Sequence, residues 1–151
     1  MMAEDFLEFA ADKFVFRVKR GLLYSRNEVW VATEDDLVRV GVTDFAQRRG
    51  GDIVFADIVP QETTVARGGL LGSYETVKMV KDIISPVEGV VRSVNPAMES
   101  KPEVINRDSY GEGWVAIIEP STKLDGLITA EEYFEAMKDK VAEELRKIKG
   151  I

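Results

Sequence analysis

Gly72-Ser73-Tyr74-Glu75-Thr76-Val77-Lys78-Met79-Val80-Lys81-Asp82-Ile83-Ile84-Ser85-Pro86-Val87-Glu88-Gly89 sets a lysine between two β-type runs at the middle of the chain. β-type runs lie on both sides of a short interruption: Leu70 to Glu75 with Val77 before it, and Asp82-Ile83-Ile84-Ser85 after it. The interruption carries Lys78. A lysine at a hairpin tip extends a long, flexible stem into solvent, where it can serve as a covalent tether. Glu75 lies three residues before it and Asp82 four after, a charge signature that a modifying enzyme could grasp. Taken alone, the same residues equally describe a solvated hairpin with an idle lysine.

Working outward, breakers recur every several residues: Pro60, Gly68-Gly69, Pro86, Gly89, Pro96, Pro102, Gly111 and Gly113. Such spacing is too short for helices and suits many short strands in a sandwich or barrel. Val29-Trp30-Val31-Ala32 and Leu37 to Val42 flank the polar Thr33-Glu34-Asp35-Asp36, as in a hairpin. Further β-type runs fall at 53–56, 63–66, 89–94 and 113–118. Gly50-Gly51-Asp52-Ile53-Val54-Phe55 is faintly echoed by Glu88-Gly89-Val90-Val91-Arg92-Ser93-Val94. Two similar β units would leave the segment between them, with Lys78, at an exposed tip.

Three helices are expected. Residues 4–13 carry Phe6, Phe9 and Ala10 at helical spacing behind an acidic start, and alternation begins only at Phe14, Phe16 and Val18. Thr43 is a fitting N-cap for a short helix through Arg49, ended by Gly50-Gly51. Thr129-Ala130-Glu131-Glu132 fits a capping box. Phe134, Met137, Val141, Leu145 and Ile148 then form one apolar stripe, with Arg146, Lys147 and Lys149 in the last turn and Gly150 to close it.

Composition narrows the chemistry. The 151 residues contain no Cys and no His, which removes thiolate and imidazole metal sites, a cysteine nucleophile and the Ser-His-Asp triad. A net charge of −7 and no basic stripe argue against nucleic acid. No apolar run approaches the roughly 20 residues of a membrane span, and the acidic start is unlike a signal peptide. The expectation is a cytoplasmic monomer. One domain over 1–151 is expected, with 1–20 as an N-terminal extension and 129–150 as a C-terminal helix.

Glu75-Thr76-Val77-Lys78, Asp82-Ile83 and Ser85-Pro86-Val87-Glu88-Gly89 together resemble the lipoyl-lysine segment of the glycine cleavage system H-protein family. Gly41-Val42-Thr43-Asp44-Phe45-Ala46-Gln47 is similar to its Gly-Ile-Thr-x-x-Ala-Gln stretch. Gly51-Asp52-Ile53-Val54-Phe55-Ala56-Asp57-Ile58 is similar to its Gly-Asp-x-Val-Phe-x-Asp-Leu stretch. Val94-Asn95, Pro102 to Asn106 and Tyr110 to Trp114 follow in the family's order, so the resemblance runs from about Tyr24 to Phe134. It implies a mainly β fold: a lipoyl/biotinyl-type barrel-sandwich hybrid with a short internal helix and peripheral N- and C-terminal helices. It also implies a carrier rather than an enzyme, with lipoic acid in amide linkage on Lys78 shuttling an aminomethyl group and reducing equivalents. Glycine decarboxylase, aminomethyltransferase and dihydrolipoamide dehydrogenase are the implied partners. Glu75 and Asp82 would mark the hairpin for a lipoate-protein ligase or octanoyltransferase.

The chain departs from the family at two places. Glu28-Val29-Trp30 stands where His-Glu-Trp is usual, and Met79-Val80-Lys81 stands where Ala-Ala-Ser usually follows the lysine. These departures leave a second partner set open, a heterodisulfide-reductase-like sulfur-oxidation complex served by H-protein-like lipoate-binding proteins. Val77-Lys78-Met79 also partly resembles the Met-Lys-Met site of biotin carriers, but Glu75 and the long flanking match favour lipoate. Lys81 has no acid three residues before it and reads as a charged flank. Tyr110-Gly111-Glu112-Gly113-Trp114 lacks the helix and lysine of a phosphate loop and reads as a strand-entry turn. The acids at 34–36 read as a solvated turn.

Overall fold

The chain opens as a hairpin. The computed structural model describes residues 5–149, with side chains through Lys147. In it, β1 (Phe6–Ala11) pairs antiparallel with β2 (Phe14–Lys19), Leu7 opposite Val18 and Phe9 opposite Phe16. The helix expected over 4–13, the N-terminal one of the two peripheral helices, is thereby overturned; its start at Glu4 lies outside the described residues. Leu7, Phe9 and Ala11 alternate as readily as Phe6, Phe9 and Ala10 follow a helix, and pairing with β2 decides between the two periods. Asp12 takes the left-handed conformation (φ 57°) at the two-residue turn, where a short polar side chain is tolerated.

Next come β3 (Leu23–Tyr24), β4 (Val29–Glu34) and β5 (Leu37–Val42), the last two forming the expected hairpin in register from Val29↔Val42 to Glu34↔Leu37. Helix α1 (Asp44–Gly50) starts where Thr43 Oγ1 accepts the Ala46 N–H and ends at Gly51, whose φ of 87° suits glycine. Then follow β6 (Ile53–Ile58), β7 (Thr64–Val65), β8 (Leu70–Thr76), β9 (Val80–Ile84) and β10 (Gly89–Val94). Two single-turn helices, α2 (Ala97–Ser100) and α3 (Val104–Arg107), fill the region read only as broken by Pro96 and Pro102. Proline is compatible with a helix's first turn, so each of these prolines precedes a helix instead of excluding one. β11 (Ala116–Pro120), β12 (Ile128–Thr129) and α4 (Ala130–Lys149) complete the chain.

The strands form three antiparallel sheets: β1-β2, a seven-stranded β12-β3-β4-β5-β11-β10-β7, and a three-stranded β6-β8-β9. This is the mainly β barrel-sandwich architecture expected. Its centre is the first half of β4, where Val29, Trp30 and Val31 are buried on both faces. Val29 and Val31 point into the larger core with Val40, Leu71, Ile83, Val91 and Ile118. Trp30, on the other face, is 1% exposed and packs in a second core. That core is covered by β2 through Phe16 and Val18, and by α4 through Ala130, Tyr133, Met137 and Val141.

The capping box of α4 forms as expected: Glu132 N–H donates to Thr129 Oγ1 at 3.1 Å, and Thr129 N–H to Glu132 Oε1 at 3.0 Å. The Thr129 N–H and hydroxyl, both donating to Glu132 Oε1, hold that carboxyl below the usual carboxylate range. The apolar stripe is shifted by one residue at its start. Tyr133 is buried and Phe134 only half-buried, because the Tyr133 ring stacks on Tyr24 at 4.6 Å and its hydroxyl donates to Glu28. The expected contributions of the Ile148 and Lys149 side chains, and of Gly150, lie outside what the structure describes. Among the described residues no helix is long and apolar enough to cross a membrane.

Gly41 lies directly across the ladder from Trp30, and a methyl group there would stand 2.5 Å from the indole carbons. Gly41→Ala therefore overpacks the second core and should cost about 1–3 kcal/mol. A lower denaturant midpoint at unchanged m value is the expected result.

Candidate functional site

Lys78 sits at the tip of the β8–β9 hairpin. Strand pairing closes at Glu75↔Val80, and Val77-Lys78-Met79 forms the connection. Thr76 holds this connection from below. Its N–H donates to the Met79 carbonyl at 2.8 Å, and its hydroxyl accepts the N–H groups of Lys78 (3.3 Å) and Met79 (3.2 Å). Thr76 itself is buried, so an inward-facing side chain fixes an outward-facing turn. Val77 is 89% exposed, and Lys78 is also exposed. Among the described residues the Lys78 ammonium makes no ion pair.

The register also places the two predicted acids. Glu75 pairs with Val80 and Ser73 with Asp82, so Glu75 and Asp82 project from the same face of the sheet on a diagonal. Phe55, opposite Glu75 on β6, extends that outer row and is exposed. Lys81 pairs with Tyr74 and belongs to the opposite face. The second lysine of the hairpin is therefore set within a strand, away from both the turn and the acidic face. The β8–β9 hairpin thus carries Lys78 at its tip, Glu75 and Asp82 on one face and Lys81 on the other.

Two supports escaped the sequence reading. Asn106, on α3, accepts the Ile53 N–H at 2.8 Å and donates to the Gly51 carbonyl and Gln47 Oε1, each at 3.0 Å. It thereby pins the α1–β6 junction beneath the hairpin, where the Lys78 stem passes within 3.6 Å of the position a Gly51 side chain would occupy. A larger residue at 51 would meet both that stem and an unfavourable φ. The other support is Glu28, whose carboxylate receives the hydroxyls of Tyr133 and Thr43 and, at 3.1 Å, the Lys140 ammonium. It ties α4 to the start of α1. In the sequence Glu28 stands out only as a departure from the family and Asn106 only within a matching stretch; their roles as supports are not visible there, because each acts on partners far away along the chain.

The comparisons with known proteins agree with this geometry. Residues 22–140 match the family model described as glycine cleavage H-protein. A glycine cleavage system H protein of Coprothermobacter proteolyticus is 48% identical over 120 residues, covering 78% of this chain and 94% of that protein. One from Bacteroides fragilis is 43% identical over 112 residues, covering 73% and 89%. The solved structure of a glycine cleavage system H protein from Mycobacterium marinum superposes with a TM-score of 0.70 at 36% identity, covering 74% of this chain and 92% of that one.

Tyr74, directly behind the hairpin, is pushed up to about 12 by burial, with the Glu28 carboxylate adding to the shift. Burial likewise raises Tyr24, Tyr110 and Tyr133. The folded chain keeps these phenols protonated above pH 10, where the unfolded chain releases its protons. Stability should be fully present below about pH 10 and fall as pH rises toward 12, by about 1.4 kcal/mol per pH unit for each such tyrosine. Urea denaturation across that range is the measurement. Tyr74→Phe should make the fall shallower by one proton's slope.

Proposed function

Because the chain belongs to the glycine cleavage H-protein family, we propose that Lys78 is its lipoyl-lysine, bearing lipoic acid as an amide on Nζ. The chain is a lipoyl carrier of glycine cleavage. The observation that carries the assignment of Lys78 is the turn. An unpaired primary amine stands at the tip of a hairpin whose base is fixed by Thr76, and two carboxylates project on one adjoining face. That arrangement suits lipoate: the amine is open to acylation, and the hairpin can enter a modifying enzyme without disturbing either core. When bound, lipoate supplies the disulfide–dithiol couple and the carrier sulfur that a chain without Cys lacks.

The chain's own part is presentation. Thr76 orients the lysine backbone, Gly51 leaves room for its stem, and Asn106 keeps that junction in place. Glu75 and Asp82 serve as the face read by a lipoate-protein ligase or octanoyltransferase. No catalytic residue is assigned; glycine decarboxylase, aminomethyltransferase and dihydrolipoamide dehydrogenase do the chemistry around the carrier. The relatives' names favour this partner set over the sulfur-oxidation one. The whole chain is read as one carrier domain acting as a monomer in the cytoplasm.

Co-expression with a lipoylation system should add the mass of one lipoyl group to the peptide containing Lys78. Lys78→Arg keeps the charge but removes the nucleophilic amine, so that variant should fold and stay unmodified. Modification moving to Lys81 in the variant would refute the assignment.

Glu75→Ala, on an exposed face, should leave the denaturation midpoint unchanged and slow lipoylation up to about five-fold at low salt, the equivalent of ~1 kcal/mol. Equal initial rates for the two proteins would remove Glu75 from recognition.

A further inference from the structure

The face of the β1–β2 hairpin turned away from Phe16 and Val18 floors a cavity of about 490 Å³, which α1 and the loop after α3 complete. None of its lining residues belongs to the β8–β9 hairpin. The floor is two directly opposed pairs, Phe6↔Lys19 and Glu8↔Arg17, whose side chains share that face. All four residues lie outside the 22–140 span that matches the family model. Tyr110 fixes the floor in place. Its hydroxyl donates to the Arg17 carbonyl at 2.8 Å, its ring lies 6.1 Å from that of Phe6, and the Arg17 guanidinium sits over the Phe6 ring at 5.4 Å. From α1, Asp44 accepts the Arg17 N–H at 2.8 Å.

Four cations, Arg17, Lys19, Arg48 and Arg107, line this cavity against three carboxylates, Glu8, Asp44 and Asp108. The chain as a whole has the opposite balance, with a net charge of −7. The protein already occupies the acids. Glu8 pairs with Arg17 at 2.9 Å, Asp44 takes Arg48 Nε at 3.1 Å and the Gln47 amide at 2.8 Å, and Asp108 takes the Glu112 N–H at 2.9 Å. Lys19 is half-buried and Arg107 exposed, and neither side chain has an ion pair or hydrogen bond among the described residues. Two unpartnered cations beside two guanidinium groups suit a doubly charged oxyanion, because guanidinium forks match phosphate geometry. The volume falls within the ~300–1,000 Å³ of small-molecule sites, more than a lone oxyanion fills, and the rings of Phe6 and Tyr110 offer the rest of the ligand an apolar wall. We propose that this cavity binds a phosphate monoester of a small molecule, the cations holding its phosphate and the two rings its organic part. The site stands whether or not Lys78 carries lipoate.

The test titrates phenyl phosphate and, separately, inorganic phosphate into the full-length protein. Low salt keeps screening weak, and at about pH 7.5 the monoester is a dianion. Calorimetry and backbone amide shifts are the readouts. The expected result is one saturable site with a Kd of about 1 mM or tighter. Amide shifts should gather at residues 17–19 and 107–111, and phenyl phosphate should bind at least three-fold tighter than inorganic phosphate. Arg107→Ser should weaken phenyl phosphate about ten-fold, the loss of one charge-assisted contact. Arg92→Ser, on β10 outside the cavity, should leave it unchanged. The shift map needs no variant and so stands whether or not Arg107→Ser folds. No saturation by phenyl phosphate up to about 20 mM, or shifts spread over surface cations at large, overturns the site. Equal weakening by the two variants overturns its placement in this cavity, and equal affinity for inorganic phosphate overturns the monoester. None of these results bears on the assignment of Lys78.

Discussion

The fold is arranged around the first half of β4, Val29 to Val31, which is buried on both faces. β4 places Val29 and Val31 in one core and Trp30 in the other, and the indole is held by a 2.8 Å bond from its Nε1–H to the Ser109 carbonyl. A large aromatic ring on the outside of a barrel must be covered, and burying one is worth several kcal/mol by area. The covering comes from β2 and α4, segments that lie at opposite ends of the chain. Glu28, one residue before β4, adds a polar clasp to the same cover by holding Tyr133 and Lys140. The terminal segments are therefore part of the folded core.

The working end is separated from that core. Burial stops at Tyr74 and Thr76; beyond them Val77 is 89% exposed, Lys78 is exposed, and Met79 is partly covered beside Gly50. A covalent group of any size can be added at the tip without creating a cavity or a clash inside. The cost of ordering the turn is offset locally by the hydrogen bonds that Thr76 makes with Lys78 and Met79. This division suits a carrier: a rigid body keeps one amine in a reproducible place while the group attached to it moves.

Much of this was legible in the sequence, and the reasons differ by element. The β4–β5 and β8–β9 hairpins were readable because alternation and turn residues are local signals. The α4 cap was readable for the same reason, since Thr129 and Glu132 are three residues apart. Residues 6–11 were misread as a helix because a six-residue apolar stretch satisfies both periods, and only its partner β2 distinguishes them. Tyr133 was passed over for Phe134 because its burial depends on Glu28 and Tyr24, more than a hundred residues away. At the site, Lys78, Glu75 and Asp82 could be named from the linear pattern. Their common face required the register, and Asn106 and Gly51 required the tertiary fold.

The covering of Trp30 also sets an order of events during synthesis. The β2 half of the cover leaves the ribosome before β4, but α4 follows about a hundred residues later. At ordinary translation speeds that interval is roughly 5–20 s. Throughout it, Trp30, Tyr24 and Phe45 are exposed on one side. The β12–β3 pairing, which joins distant parts of the chain, cannot form either until the end. The aromatic side of the large sheet is thus closed only after the other strands exist, so the second core is a late step in forming this fold.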